Sequence, residues 1–143
     1  ATHFLIVNYM ETQLEWDQLV DSLRDELQEK GGLIRLLNQQ TELLYQRDPR
    51  GNERVEEQIR GQLRLVSRCT QSRELILRET GTRLNLRDEA DAAEVVHGFP
   101  EYVQPLLEAL FTEVERLSGR MQERLRQNQE LKVRFLSEAT SIV

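Results

Sequence analysis

Cysteine occurs once, at Cys69, in a chain of 143 residues. No internal disulfide is available, and a lone thiol points to a reducing compartment. Three prolines and seven glycines are too few to punctuate a series of short strands. Aromatic residues make up 6%, and β-branched residues are also sparse, which excludes a sheet protein. No apolar run exceeds Phe4–Val7, far below the roughly 18 residues of a membrane-spanning helix. That run also lacks the basic flank of a secretion signal, so a cytoplasmic protein without membrane insertion is expected. Net positive charge is missing as well. Nineteen bases against 25 acids leave −6, which argues against general nucleic-acid binding because the phosphates would repel the chain.

What is present is Leu, Glu, Gln and Arg at helical spacing, with 31% charged and 38% hydrophobic residues. This is the composition of long amphipathic helices. Residues 1–9 form a short apolar N-terminal arm, either extended or opening the first helix. From residue 10 to 47, Trp16, Leu19, Val20, Leu23, Leu27, Ile34, Leu37 and Leu44 recur in steps of three and four and share one face. "RDPRGN" marks a turn at Pro49 and Gly51, with Asp48 or Asn52 available to cap the next helix. Val55, Ile59, Leu63, Val66, Cys69 and Ile76 then define a second helix over 52–80. A link this short makes the two an antiparallel hairpin. Residues 81–100 break the rhythm and are read as a crossover carrying a short helix from Asp88 to His97, ended by Gly98 and Pro100. A third long helix spans 101–140, with Pro105 in its first turn where the missing N–H costs little. The expected fold is all-α, one domain, an elongated bundle of three long antiparallel helices.

Candidate chemistry is thin. Glu94 and His97 have the Glu-x-x-His spacing of di-iron bundles, but such a site needs two of these motifs and two further carboxylates. The only other histidine, His3, has no partner of that kind, so no metal and no cofactor are expected. Cys69 lies on the apolar face of the second helix, where a thiol acts as a small hydrophobe. No phosphate-binding glycine loop, nucleophile elbow or zinc spacing occurs, and the protein reads as a non-enzyme.

Arg60, Arg64 and Arg68 repeat every four residues, and residues 60–73 carry four arginines and no acid. Two readings stand: a secondary docking strip for an acidic partner, or an internal salt-bridge face. Folding the hairpin at residues 48–52 sets Arg73 near Asp25 and Glu26, and Arg78 near Asp21. It sets the arginine row opposite residues 31–39, which hold no acid, leaving Glu101, Glu108 or Glu113 of the third helix to neutralise it. The pair Gly31-Gly32 costs roughly 2 kcal/mol of helix propensity and marks either a kink or the close approach of another helix. Trp16 and Tyr45 read as core or boundary aromatics.

The third helix is uneven. Its upstream half is thickly apolar (Leu106, Leu107, Leu110, Phe111, Val114). Its downstream half keeps only a narrow row, Leu117, Met121, Leu125, Leu131 and Phe135, with Asn128 interrupting it. Covering that row is worth several kcal/mol at about 1.5–3 kcal/mol per large apolar side chain. A row left bare invites a partner helix, with Asn128 fixing the register. A row covered by the first helix makes Asn128 a boundary amide.

The layout resembles the FlgN-type flagellar export chaperones. The likeness is carried by "LIRLLNQQTELLYQRDP", a Leu-rich helix closing just before Asp-Pro; by "NERVEEQIRGQLRLVSRCTQSRELIL", which comes next in the chain; by the Leu-containing crossover "RLNLRDEADAAEVV"; and by the Asn/Gln-rich tail "LRQNQELKVRFLSEA". It covers about residues 10–139. The resemblance implies a function without chemistry: binding the unfolded C-terminal helical segments of hook-associated proteins and delivering them to the flagellar type III export apparatus. It maps client binding onto Leu117, Met121, Leu125, Asn128, Leu131 and Phe135, a form of helix-in-groove recognition. The rival expectation is a structural adaptor that homo-oligomerises through the same last helix.

Overall fold

A computed structural model describes the backbone of residues 2–142 and the side chains of residues 16–138. The chain is all-α: α1 is Thr2–Tyr45, α2 is Pro49–Arg83, α3 is Ala92–His97 and α4 is Gln104–Ile142, with no strand among the described residues. None of these helices is long and apolar enough to cross a membrane among the described residues.

Helix ends differ from expectation where local hydrogen bonds decide them. Residues 2–9 are the first turns of α1 rather than an extended arm; no proline interrupts the sequence from there to residue 45. Pro49 opens α2 instead of breaking the chain. The Asp48 carboxylate accepts the Gly51 N–H at 2.9 Å, so Asp48 is the N-cap and Pro49 fills the first helical position, where a missing N–H is harmless. Arg47, at φ 54°, supplies the left-handed residue that ends α1. The Asp48 N–H reaches the Leu43 carbonyl at 3.1 Å and the Arg47 N–H reaches that of Leu44 at 3.1 Å, the paired bonds of a Schellman ending. α2 ends in the same way, with Asn85 at φ 58° and the Leu86 N–H on the Gly81 carbonyl at 2.9 Å.

α3 starts at Ala92, four residues later than the sequence suggests. The Asp91 carboxylate caps it by accepting the Glu94 N–H, while the Ala90 N–H closes a separate turn on the Arg87 carbonyl. At Gly98 a Cβ would stand 2.5 Å from Leu84 Cδ1, so a larger residue at the end of α3 requires the Leu84 side chain to shift.

The chain divides into two compact units, Ala1–Glu26 with Arg68–Val114 (unit 1) and Leu27–Ser67 with Glu115–Val143 (unit 2). In unit 2, Leu33, Leu37, Val55, Ile59 and Val66 form a buried cluster, flanked by Leu36, Leu43, Leu63, Met121 and Leu125. Gln40 meets Asn52 and Glu29 meets Gln62, so numbers fall along α1 as they rise along α2, as in a hairpin. In unit 1 the buried residues include Leu19, Leu23, Val95, Val96, Phe99, Val103, Leu107 and Val114. Glu26, 0% exposed, receives Arg73 Nε at 2.7 Å and Nη2 at 3.3 Å. The hairpin register anticipated that pair. Thr70 Oγ1 donates to the same carboxylate at 3.3 Å, and the Arg73 guanidinium lies 6.0 Å from the Phe111 ring.

Candidate functional site

The apolar row of the last helix is largely closed by the chain itself. Met121 and Leu125 pack on the unit 2 cluster, and Leu131 is buried. Leu117 is half-buried. Asn128 is 3% exposed, and its hydrogen bonds stay inside unit 2. Nδ2 donates to the Leu37 carbonyl and to Gln40 Oε1, both at 2.9 Å, and Oδ1 accepts from the Thr41 hydroxyl at 2.7 Å. The amide that interrupts the row therefore sets the register of α4 on α1. An apolar residue there would leave a Gln40 oxygen without its donor, and an unmatched buried polar group is costly.

A wider network grows from that contact. Gln40 Nε2 donates to Asn52 Oδ1 at 3.2 Å; Asn52 Nδ2 donates to Glu56 Oε1 at 3.1 Å; Lys132 Nζ donates to the same oxygen at 2.6 Å. Burial works to raise the Glu56 carboxyl, but the Lys132 and Asn52 hydrogen bonds and the charges of Lys132 and Arg60 outweigh it and hold it below its ordinary 4.5. Three helix segments are thus tied together by side chains whose polar atoms find partners.

Only the end of the row reaches a surface that is open and apolar. Phe135 is half-buried. Tyr45 meets it edge-on with ring centroids 6.0 Å apart, and the Arg47 guanidinium lies 4.3 Å from its centre while binding Glu138 at 2.9 Å. Beside it opens a cleft of about 350 Å³ lined by Leu43, Leu44, Pro49, Phe135 and Leu136 and edged by Arg47, Asp48, Lys132 and Glu138. Leu136 is 60% exposed, and Val133 and Tyr45 are also largely exposed. Apolar floor and charged rim together form the pattern of a protein-binding hot spot. Leu136 and Val133 were not singled out from the sequence, because they lie off the inward periodicity of α4.

Arg60, Arg64 and Arg68 are exposed, and the charge of Arg60 helps to hold the Glu56 carboxyl low. Arg60 borders a cleft of about 140 Å³ with Glu56, Ile59, Leu125 and Lys132. Arg68 borders another of about 370 Å³, in unit 1, with Asp21, Asp25, Cys69 and Ile76; Cys69 itself is half-buried. Glu94 is bound by Arg87 at 2.9 Å, and His97 is exposed at the end of α3. Among the described residues no three His, Cys, Asp or Glu side chains gather as a metal site. At the glycine pair, Gln62 lies over the α1 backbone, donating to the Glu29 carbonyl at 2.8 Å and its carboxylate at 2.6 Å. A Cβ on Gly32 would come within 3.0 Å of that amide. Gly32 thus lies under the Gln62 side chain, whereas a Cβ on Gly31 would meet only Arg35, at 3.8 Å.

Comparison of the chain with protein-family models, with curated proteins and with solved structures finds no match.

Proposed function

We propose that the protein is a non-enzymatic export chaperone of the FlgN type. It acts in the cytoplasm, holds C-terminal segments of hook-associated proteins and presents them to the flagellar type III export apparatus. In this reading the three long helices run antiparallel to their chain neighbours, which the short link between α1 and α2 supports. The observation that carries the reading is the apolar cleft at the end of unit 2. A helical client lays its apolar face over Phe135 and Leu136. Met121, Leu125, Asn128 and Leu131 hold the platform in register, so their part in binding is indirect. Burying each large side chain contributes about 1.5–3 kcal/mol, and ordering the client takes back about 2–5 kcal/mol. Moderate affinity and ready release are the result.

The test is titration of a hook-associated client segment onto the intact protein and onto Leu136→Glu. Leu136 is exposed enough for the substitution to spare the fold, and client affinity should fall about tenfold or more. Unchanged affinity rejects the cleft. Truncation near Arg120 is a poor test because it strips Met121 and Leu125 from the core of unit 2. A second reading, an adaptor that homo-oligomerises through α4, is favoured by the exposure of both Val133 and Leu136 one turn apart. Light scattering separates the two, since a dimer formed without client and abolished by Leu136→Glu selects the adaptor.

A further inference from the structure

The upstream part of α4 is apolar on two sides. Val103, Leu107 and Val114 point inward and are buried, and they account for the packing. Away from these inward positions no apolar residue is needed, yet beside them stand Tyr102, in the turn leading into α4, and Leu106, with Pro105 and Ala109 farther round the helix. Tyr102 is 65% exposed and Leu106 41%; Pro105 and Ala109 are exposed too. Within α4, Pro105, Leu106 and Ala109 are three and four apart and share a side of the helix, and Tyr102 precedes them in the adjoining turn. Single exposed apolar side chains are ordinary, whereas several side by side mark an interaction surface. Farther along α4, Arg120, Glu123, Arg126, Gln127, Glu130 and Arg134 are exposed and polar.

The charge around the strip has one sign. From Gly98 to Glu115 the chain holds four acids, Glu101, Glu108, Glu113 and Glu115, and no Lys or Arg. Unit 1 as a whole has 15 acids against 6 bases, a net −9, while unit 2 has 10 against 13, a net +3, which together restore the −6 of the chain. Two of the six bases of unit 1, Arg73 and Arg87, are already held by Glu26 and Glu94. Anionic lipid and nucleic acid are repelled by such a surface.

We infer that the strip Tyr102–Ala109 is a docking surface for a basic amphipathic helix of another protein. The occupant's apolar stripe covers Tyr102 and Leu106, and its Lys and Arg flanks meet Glu101 and Glu108. The site lies wholly in unit 1 and does not depend on the export reading.

The probe is a fluorescent Leu/Ala/Lys peptide of about 15 residues, four helical turns, with Leu at heptad spacing and Lys at the flanks. Titrated onto the full chain, it should bind saturably, and the chemical shifts of residues 101–113 should move. Leu106→Glu and Tyr102→Lys should each weaken it about tenfold, with unchanged helicity by circular dichroism, while Leu136→Glu should leave it unaffected. The side chain of Tyr102 is exposed enough for its variant to fold even if that of Leu106 does not. The idea is overturned if both unit 1 variants bind as the parent does, or if shifts move elsewhere. It fails equally if a Glu-flanked or an all-polar Lys peptide binds as well, or if light scattering shows this strip already covered by a second copy of the chain.

Discussion

Unit 1 buries a carboxylate held by a guanidinium, while unit 2 buries an amide and, apart from it, Lys30, whose Nζ donates to Ser118 Oγ at 2.6 Å. In unit 1 the fully buried Glu26 carboxylate is held by a guanidinium and a hydroxyl. In unit 2 the buried Asn128 amide bonds to a backbone carbonyl and two side chains. Both devices fix register, but they fail differently. A buried carboxylate depends on a charged partner, because unpaired it costs far more than any neutral group. An amide network loses only the hydrogen bonds that are broken.

The contrast can be broken most sharply at the charge. Arg73→Ala removes the guanidinium that holds Glu26 and should cost the most of these substitutions, up to about 3–5 kcal/mol in urea unfolding, with hydrogen exchange rising first in unit 1. A loss below about 1 kcal/mol would mean that Glu26 does not rely on Arg73. Asn128→Ala should cost less, about 1–3 kcal/mol, with exchange rising in unit 2. A neutral result there would remove the amide from its register role. Asp48→Ala sharpens the comparison at a helix end, since losing the cap of α2 should lower stability by about 1 kcal/mol, and rescue by Asp48→Asn would tie the loss to capping.

The smallest effect is electrostatic and concerns Glu56. Its folded carboxyl titrates below its ordinary 4.5, so the unfolded chain takes up the proton first as acid is added. The contribution is complete above 4.5 and disappears as pH falls through the lower, folded value. Glu56→Gln should therefore flatten the acid limb of the stability curve below that point. An acid limb unchanged by the substitution would detach Lys132 from any stabilising role.

Much of this was legible as periodicity. Leu19, Leu23, Leu37, Val55, Ile59, Leu107 and Val114 all lie on the expected inner faces and are buried, because a 3.6-residue repeat leaves an apolar stripe only one way to face. The pairing of Arg73 with Glu26 came from the hairpin register alone. The limits of α2 were less legible. Proline reads as a breaker in sequence, but at the first helical position its fixed φ suits a helix and its absent N–H has no partner to lose. The open surface was least legible. The row from Met121 to Leu131 reads in sequence either as a bare seam or as one covered by the first helix; it is mostly occupied by α1 and α2, while Leu106, Leu136 and Tyr102 stand exposed. A sequence gives the direction of an apolar stripe along its own helix, not the identity or reach of the neighbour that covers it.

The amino-acid sequence alone determined that the chain is helical, where its helices bend back and which residues face inward, since spacing, caps and propensity act within a few residues of each position. Tertiary packing alone decided which apolar side chains remain in contact with water and which polar ones are buried. Exposure depends on atoms brought close from tens of residues away, and no local pattern encodes that distance.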